Sequence, residues 1–264
     1  MKSVRHYWIN REVDKKRRER MLKWLDERQI VNSRVNAITP DTLPRLAVYK
    51  GYEQSNSTAE YACLASHLLA ILTAYRDGET LALIMEDDIS SPFDCDLQQL
   101  AETAPEGWHI LQLSMVSADG LTANYKAFNA SGDIWQQWDG INWGTGAYLI
   151  SRRGMREILD RFVRLESQGQ GIAAIKLGRG RKYGKLVSDY VLYRYTATYA
   201  CVFPLYVSDL ELGSTLHDGH IEKFHAAAGS VVGQLHQVLL KLGGKQQYRR
   251  AFSFLSNQDE NGRD

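Results

Sequence analysis

The 264-residue chain reads as an α/β protein whose mostly parallel sheet is flanked by helices. Three features predict this class. Val4 to Ile9, Glu12 to Arg28 and Val31 to Ile38 alternate as strand, helix and strand, the order of a parallel βαβ unit. Leu81 to Met85 is a continuous apolar run between Gly78 and Pro92, as expected of a strand covered on both faces. The segment TAEYACLASHLLAILTAY is apolar almost all round, which suits a helix packed on both sides.

Taken in order, the first helix is supported by same-face pairs, Asp14 with Arg18 and Glu19 with Lys23. The second strand ends at Pro40. Ser57 and Glu60 have capping-box spacing and open the apolar helix, which runs to about Tyr75. After the apolar strand come a helix near Asp94 to Thr103 and a strand from Trp108 to Leu113. Ser117 to Gly140 is rich in Gly, Asn, Asp and Trp, and reads as loops and short strands. Gly146 to Ser151 reads as a strand and Gly154 to Leu165 as a helix.

The basic, glycine-rich stretch Ser167 to Lys185 lacks periodicity and is expected to be a mobile loop. Ser188 to Tyr195 suggests a short helix and Thr198 to Phe203 a last strand. Beyond His220 the chain turns helical, with Val231, Leu235, Leu239 and Leu242 along one face, and it ends in a polar tail of disordered composition. No Pro-rich or Ser-rich linker divides the chain. The expected organisation is a main domain over 1–216 and a helical extension with a disordered tail over 217–264.

Charge nearly cancels, with 32 basic against 31 acidic residues, which argues against a nucleic-acid partner. Cys63, Cys95 and Cys201 are odd in number and far apart, so neither a disulfide framework nor a zinc site is indicated, and a reducing compartment follows. The opening MKSVRHYWIN has no signal-peptide core, and no later run approaches a membrane span. A cytoplasmic protein is expected. Peripheral contact with the inner membrane surface is open to the amphipathic segment near Lys241, Lys245, Arg249 and Arg250, as is packing against the domain or a second subunit. No residue pattern sets an oligomeric state.

Glu86, Asp87 and Asp88 follow the apolar run directly, at the strand end where ligands collect in open α/β sheets. If the chain stays extended, Glu86 and Asp88 point to one side and Asp87 to the other. Two hard oxygen donors on one side suit Mg(II) or Mn(II) together with substrate phosphates. A solvated acidic turn explains the same residues without a ligand. His67, inside the apolar helix, needs either a backbone partner or a ligand, since an unsatisfied buried polar group is destabilising. Ser66 and His67 are helical neighbours that diverge by about a hundred degrees, so they do not form a nucleophile pair.

CLASH followed by LIMEDD resembles the paired signature of glycosyltransferase family 25, the lipopolysaccharide and lipooligosaccharide galactosyltransferases and their collagen-modifying relatives. Further landmarks resemble the same family in order. These are Ile9, Asn10 and Arg17 in the first strand and helix, RVNAITP, GTGAYLISRRGMREIL with Tyr148 and Ser151, VSDYVL with Asp189, and Ser214. Ala62 replaces the family's Gly before the cysteine, Arg11 stands where an apolar residue is usual, and Lys16 where an acid is common. The likeness covers roughly Val4 to Leu216.

The resemblance implies an A-type glycosyltransferase fold and a UDP-sugar donor, most often UDP-galactose, held through Mn(II) or Mg(II). It implies an inverting transfer to a glycan acceptor such as a lipopolysaccharide or lipooligosaccharide core. Glu86 and Asp88 would then serve the metal, Asp87 the ribose or sugar hydroxyls, and Asn10, Arg17, Ser66 and His67 the donor pocket. Asp189 would be the general base, against a plainer role as helix N-cap. His217 and His220 offer a further metal ligand or simply surface imidazoles. Lys176, Arg179, Arg181, Lys182 and Lys185 suit either a loop closing on the diphosphate or a solvated face. Two other readings stand beside this one: a non-catalytic glycan-binding or scaffold domain, and a Mg(II)-dependent phosphotransferase or hydrolase. The latter lacks a nucleophile motif or a Walker-type glycine loop.

Overall fold

The computed structural model describes residues 3–43, 47–48, 57–166, 171–176, 187–209, 225–243 and 252–255. The first unit is β1 (Arg5–Asn10), α1 (Lys15–Glu27) and β2 (Asn32–Asn36), and the two strands pair in parallel as their order predicts. The predicted helix pairs do not form. Asp14, which sits just ahead of the helix rather than on its face, engages Arg11, while Arg18 engages Glu12 and Lys23 engages Glu27. β3 (Ala47–Val48) follows.

α2 (Thr58–Arg76) opens with the full capping box, Ser57 Oγ accepting from the Glu60 N–H and Glu60 Oε2 accepting from the Ser57 N–H. It lies on the sheet and also touches two later helices, which explains why its apolar residues run almost all round. β4 (Leu81–Glu86) carries the acids into the short β5 (Ile89–Ser90). Then come α3 (Leu97–Glu102), capped by Asp96, β6 (Ile110–Gln112), α4 (Ala118–Ser131) and β7 (Trp135–Gln137).

α4 replaces loops expected from composition. Ser117 caps its start, Gly132 ends it in the left-handed conformation at φ 79°, and Leu121, Asn124 and Phe128 are buried at helical spacing. β8 (Ala147–Ser151) leads straight into α5 (Arg152–Phe162), whose first turn is capped by the Ser151 hydroxyl. β9 (Val163–Leu165), β10 (Ile172–Ile175), α6 (Ser188–Tyr193), β11 (Thr198–Cys201), β12 (Val207–Ser208) and α7 (Ala226–Gly243) complete the order. β10 falls within the stretch expected to be a mobile loop. Its IAAI side chains are largely buried, and it pairs with β9 and β3. The remainder of that stretch, apart from Gly171 and Lys176, lies outside the described residues.

The main sheet has seven strands in the order β2-β1-β4-β8-β6-β11-β7. Five run one way, and β8 and β7 run against them. Side chains alternate between two cores as a pleated sheet requires. Trp8, Leu83, Met85, Leu111 and Leu149 face the core shared with α1, α3, α4 and α7. Tyr7, Ile9, Ile84, Tyr148 and Ile150 face the core shared with α2, α5 and α6. On α7 the buried face is Ala228, Val232, Leu235 and Leu239, so that apolar face is used inside the protein.

Candidate active site

The carboxyl ends of β1, β2 and β4 meet the beginning of β8 along one edge of the sheet, where Ala147 pairs with Met85. β4 stops at Glu86, and Asp87 and Asp88 form a tight turn into β5. The extended alternation expected to set Glu86 and Asp88 together therefore ends at Glu86. The turn is pinned from outside: β5 pairs antiparallel with β12, and the Asp209 N–H donates to the Asp88 carbonyl at 2.7 Å.

Asp87 and Asp88 share one cation. Arg17 Nη1, nearly buried on α1, donates to Asp87 Oδ1 at 2.7 Å and to Asp88 Oδ2 at 3.2 Å. The other oxygen of Asp87 accepts from Asn10 Nδ2 at 2.7 Å, and Asn10 Oδ1 in turn accepts from Arg34 Nε at 2.9 Å. Both carboxylate oxygens of Asp87 are thus occupied by protein donors. Burial raises the Asp87 pKa against the opposing pull of Asn10 and Arg17. Burial, aided by the charge of Glu86, pushes Asp88 further, to about 7.

Glu86 faces α2 instead. Its Oε1 accepts from the Thr145 hydroxyl at 3.0 Å and lies 3.4 Å from His67 Nε2. His67 is buried, and its Nδ1 shares a hydrogen bond with the Tyr148 hydroxyl at 3.2 Å, while Nε2 has no aligned hydrogen-bond partner among the described residues. Burial opposes its charge, yet the Cys63 and Glu86 side chains outweigh burial and lift the pKa to about 9. Burial likewise opposes the Glu86 carboxylate, and His67, Thr145 and Arg17 overcome it, holding Glu86 below its usual range. Ser66 turns away: its hydroxyl donates to the Ala62 carbonyl at 2.7 Å and accepts from the Ile38 N–H at 2.9 Å, tying α2 to the end of β2.

Asp189 sits in the first turn of α6. Val187, not Asp189, occupies the N-cap position. Asp189 Oδ1 accepts from the Tyr190 N–H at 2.7 Å, and Oδ2 accepts from the Gly144 N–H at 3.1 Å. Gly144 has φ 115°, a conformation that favours glycine, so this contact uses the residue's lack of a side chain. Burial raises the Asp189 pKa despite those two backbone donors.

Arg17, Ser66, His67, Glu86, Asp87, Asp88 and Asp189 all border one cavity of about 810 Å³, and Asn10 stands behind Asp87. Sequence reasoning did not single out Thr145, Trp138, Trp143, Tyr190 and His225, which border it as well, as does Cys63, the first residue of the CLASH run. The GTG run before β8 held a usable signal for Thr145. A Cβ at Gly146 would meet Ile89 Cδ1 at 2.7 Å and Ser114 Oγ at 3.0 Å, so a larger residue beside Thr145 would require those side chains to shift. Lys176 does not border the cavity; its Nζ donates to the Asp160 carbonyl at 2.9 Å. Arg179, Arg181, Lys182, Lys185, Ser214, His217, His220, Lys245, Arg249 and Arg250 lie outside the described residues.

The donor chemistry fits a divalent cation. Glu86 and Asp88 both border the cavity, and their charges act on one another. Ligand atoms of Cys63, His67 and Glu86 also lie within 4.8 Å of one another, and the buried Nε2 of His67 is 3.4 Å from Glu86 Oε1. Glu86 belongs to both groupings.

The profile described as "Glycosyltransferase family 25 (LPS biosynthesis protein)" matches residues 4–169, more than half the chain. The chain belongs to glycosyltransferase family 25. The matched span contains the βαβ start, α2, the acids and β8. Among curated proteins, the lacto-N-neotetraose biosynthesis glycosyltransferase LgtB of Neisseria meningitidis serogroup B (strain ATCC BAA-335 / MC58) is 30% identical over 120 residues, 43% of each chain. LgtE of the same strain, described in the same terms, is 28% identical over 119 residues, 42% of each chain. The chain thus matches less than half the length of these relatives. Among solved structures, mouse xyloside xylosyltransferase 1 in its apo form shows 12% identity over 58% of this chain and 55% of its own, with a TM-score of 0.30.

Proposed function

We propose that this family 25 protein is an inverting glycosyltransferase that moves a sugar, galactose by preference, from a UDP-sugar to a surface glycan such as a lipopolysaccharide or lipooligosaccharide core. The observation that carries the proposal is that the neighbours Glu86 and Asp88 and the sequence-distant Asp189 border one cavity at the ligand-binding edge of the sheet. Glu86 and Asp88 are assigned to Mn(II) or Mg(II), which when bound would offset the charge developing on the departing diphosphate. Arg17 is already committed to Asp87 and Asp88, so it orients the acidic turn and tempers its repulsion.

Asp87, with both oxygens engaged by Asn10 and Arg17, acts best as the anchor of that turn. Any contact it makes with a ribose or sugar hydroxyl would come in addition. Asp189 takes the proton from the attacking acceptor hydroxyl. Its raised pKa suits a base, and its two backbone donors fix the carboxylate's direction. His67 bonds Tyr148 and faces Glu86, holding the donor side of the cavity in shape. We place the reaction in the cytoplasm; among the described residues no helix is long and apolar enough to cross a membrane.

The test is incubation with a panel of UDP-sugars and Mn(II) or Mg(II), following UDP release and thermal stabilisation together. Stabilisation by UDP only with metal, lost in Asp88→Asn, supports the reading. Indifference to every nucleotide sugar refutes it.

A further inference from the structure

The sheet order divides the cavity into two halves. β4, with its acids, has β1 and β2 on one side and β8 on the other. On one side, the ends of β1 and β2 contribute Ile9, Ala37 and Ile38, and the first βαβ unit is where α/β sheets of this kind receive a nucleotide. On the other side stand Trp138, Trp143, Asp189 and Tyr190, carried by the β7–β8 connection and the start of α6. With a nucleotide on the first side, the second is left for the acceptor.

That second side presents aromatic surface on a stapled loop. Trp143 is 46% exposed, an unusual state for so large an apolar ring. Its indole N–H donates to the Gly140 carbonyl at 3.0 Å, and that of Trp138 donates to the Asn142 carbonyl at 2.8 Å, so both polar edges are satisfied within the loop. Trp138 is braced edge-on against Tyr190 and Tyr193. Beneath them Asn142 is fully buried. Its carbonyl accepts from Gln112 Nε2 at 3.1 Å and its Oδ1 accepts from Asn124 Nδ2 at 3.2 Å. The Trp143 carbonyl accepts from the Val116 N–H at 3.0 Å, and the next residue, Gly144, donates to Asp189. A loop held at this many points keeps Trp143 outside by construction, one residue from the partner of Asp189.

We propose that Trp143 is the acceptor platform: its indole packs against the C–H face of a hexopyranose ring of the acceptor glycan and presents that sugar's hydroxyl toward Asp189. The inference rests on the glycosyltransferase reading and adds to it the place and chemistry of acceptor recognition. A pyranose has an apolar face of C–H bonds and a polar rim, and an indole offers a broad rigid surface at little cost in conformational freedom. The Gly144 contact couples the platform to the base, so a ring seated on Trp143 is held at a set distance from the carboxylate.

The test uses the full chain with UDP and Mn(II), and methyl β-D-galactopyranoside and methyl β-D-N-acetylglucosaminide as separate probes in saturation-transfer NMR. The expected result is transfer to the C–H protons of one face of at least one probe, weakened about tenfold in affinity by Trp143→Ala and largely retained in Trp143→Phe. Stabilisation by UDP and Mn(II) should be the same in all three proteins. Equal glycoside binding by wild type and Trp143→Ala overturns the platform, as does the absence of transfer to either probe in wild type. Failure of UDP to stabilise the wild type would count against the donor reading instead, and the glycoside comparison would still decide the platform.

Discussion

Arg17 Nη1 donates to Asp87 Oδ1 at 2.7 Å, a contact between a nearly buried cation and a nearly buried anion 70 residues apart. The same nitrogen reaches Asp88, so a single side chain of α1 fixes the turn on which the proposed metal site depends. Removing one partner of such a pair leaves the others charged and poorly solvated.

Arg17→Met should therefore destabilise the protein by about 3–5 kcal/mol, measured by urea denaturation. The double variant Arg17→Met, Asp87→Asn should recover part of that loss, because the orphaned charge goes with its partner. Additive losses would show that the pair does not act as a unit.

Asp189→Asn keeps the size of the side chain while removing the proton acceptor. Turnover should fall about 10²–10⁴-fold, with UDP-dependent thermal stabilisation unchanged. Normal turnover would take Asp189 out of the reaction and leave it the role of fastening Gly144 to α6.

His6, buried on β1 with Nδ1 near the Val4 carbonyl and Nε2 near the Tyr206 hydroxyl, has its pKa lowered to about 4 by burial, which outweighs the hydrogen bond to Val4. A depressed pKa gives stability that is fully present above the unfolded value near 6.5 and is lost as pH falls through about 4. Between those limits the unfolded chain binds the extra proton. The urea midpoint should thus drop as pH goes from about 6.5 to 4, and His6→Gln should flatten that part of the profile. An identical slope in the variant would assign the acid sensitivity to other groups.

Leu239, fully buried on α7, shares the core of Trp8, Leu83 and Leu149. Leu239→Ala should lower the main unfolding transition by about 2–5 kcal/mol. A separate minor transition that alone responds to the substitution would mark α7 as an independent appendage.

The parts of the fold legible in sequence are those whose signals are local. The capping box of Ser57 and Glu60 and the apolar run before Glu86 each state their structure within a few residues. α4 was not legible, because Gly120 and Asn124 occupy buried positions where an apolar residue would have revealed the period. Asn124 belongs there because it bonds Asn142, a partner 18 residues away. The acids show the same limit. Strand alternation separates Asp87 from Asp88, but β5 folds back onto β12, more than a hundred residues later, and the turn this imposes brings them together on Arg17. The Gly144–Asp189 contact is likewise a product of tertiary packing, and only resemblance pointed to Asp189 beforehand.

β8 runs backwards between β4 and β6, so a segment entering a strand, rather than leaving one, shares the edge that holds the acids. Residues 138–146 join two strands with no helix between them. Exchange of the exposed side chains there, Ile141 and Trp143, leaves the Gly144–Asp189 and Thr145–Glu86 contacts in place, and the strands bearing Asn10 and Glu86 keep their register. On the proposed reading, acceptor choice would then drift while the sugar-nucleotide half stays constant, which makes these two positions the natural place to begin retargeting the transfer.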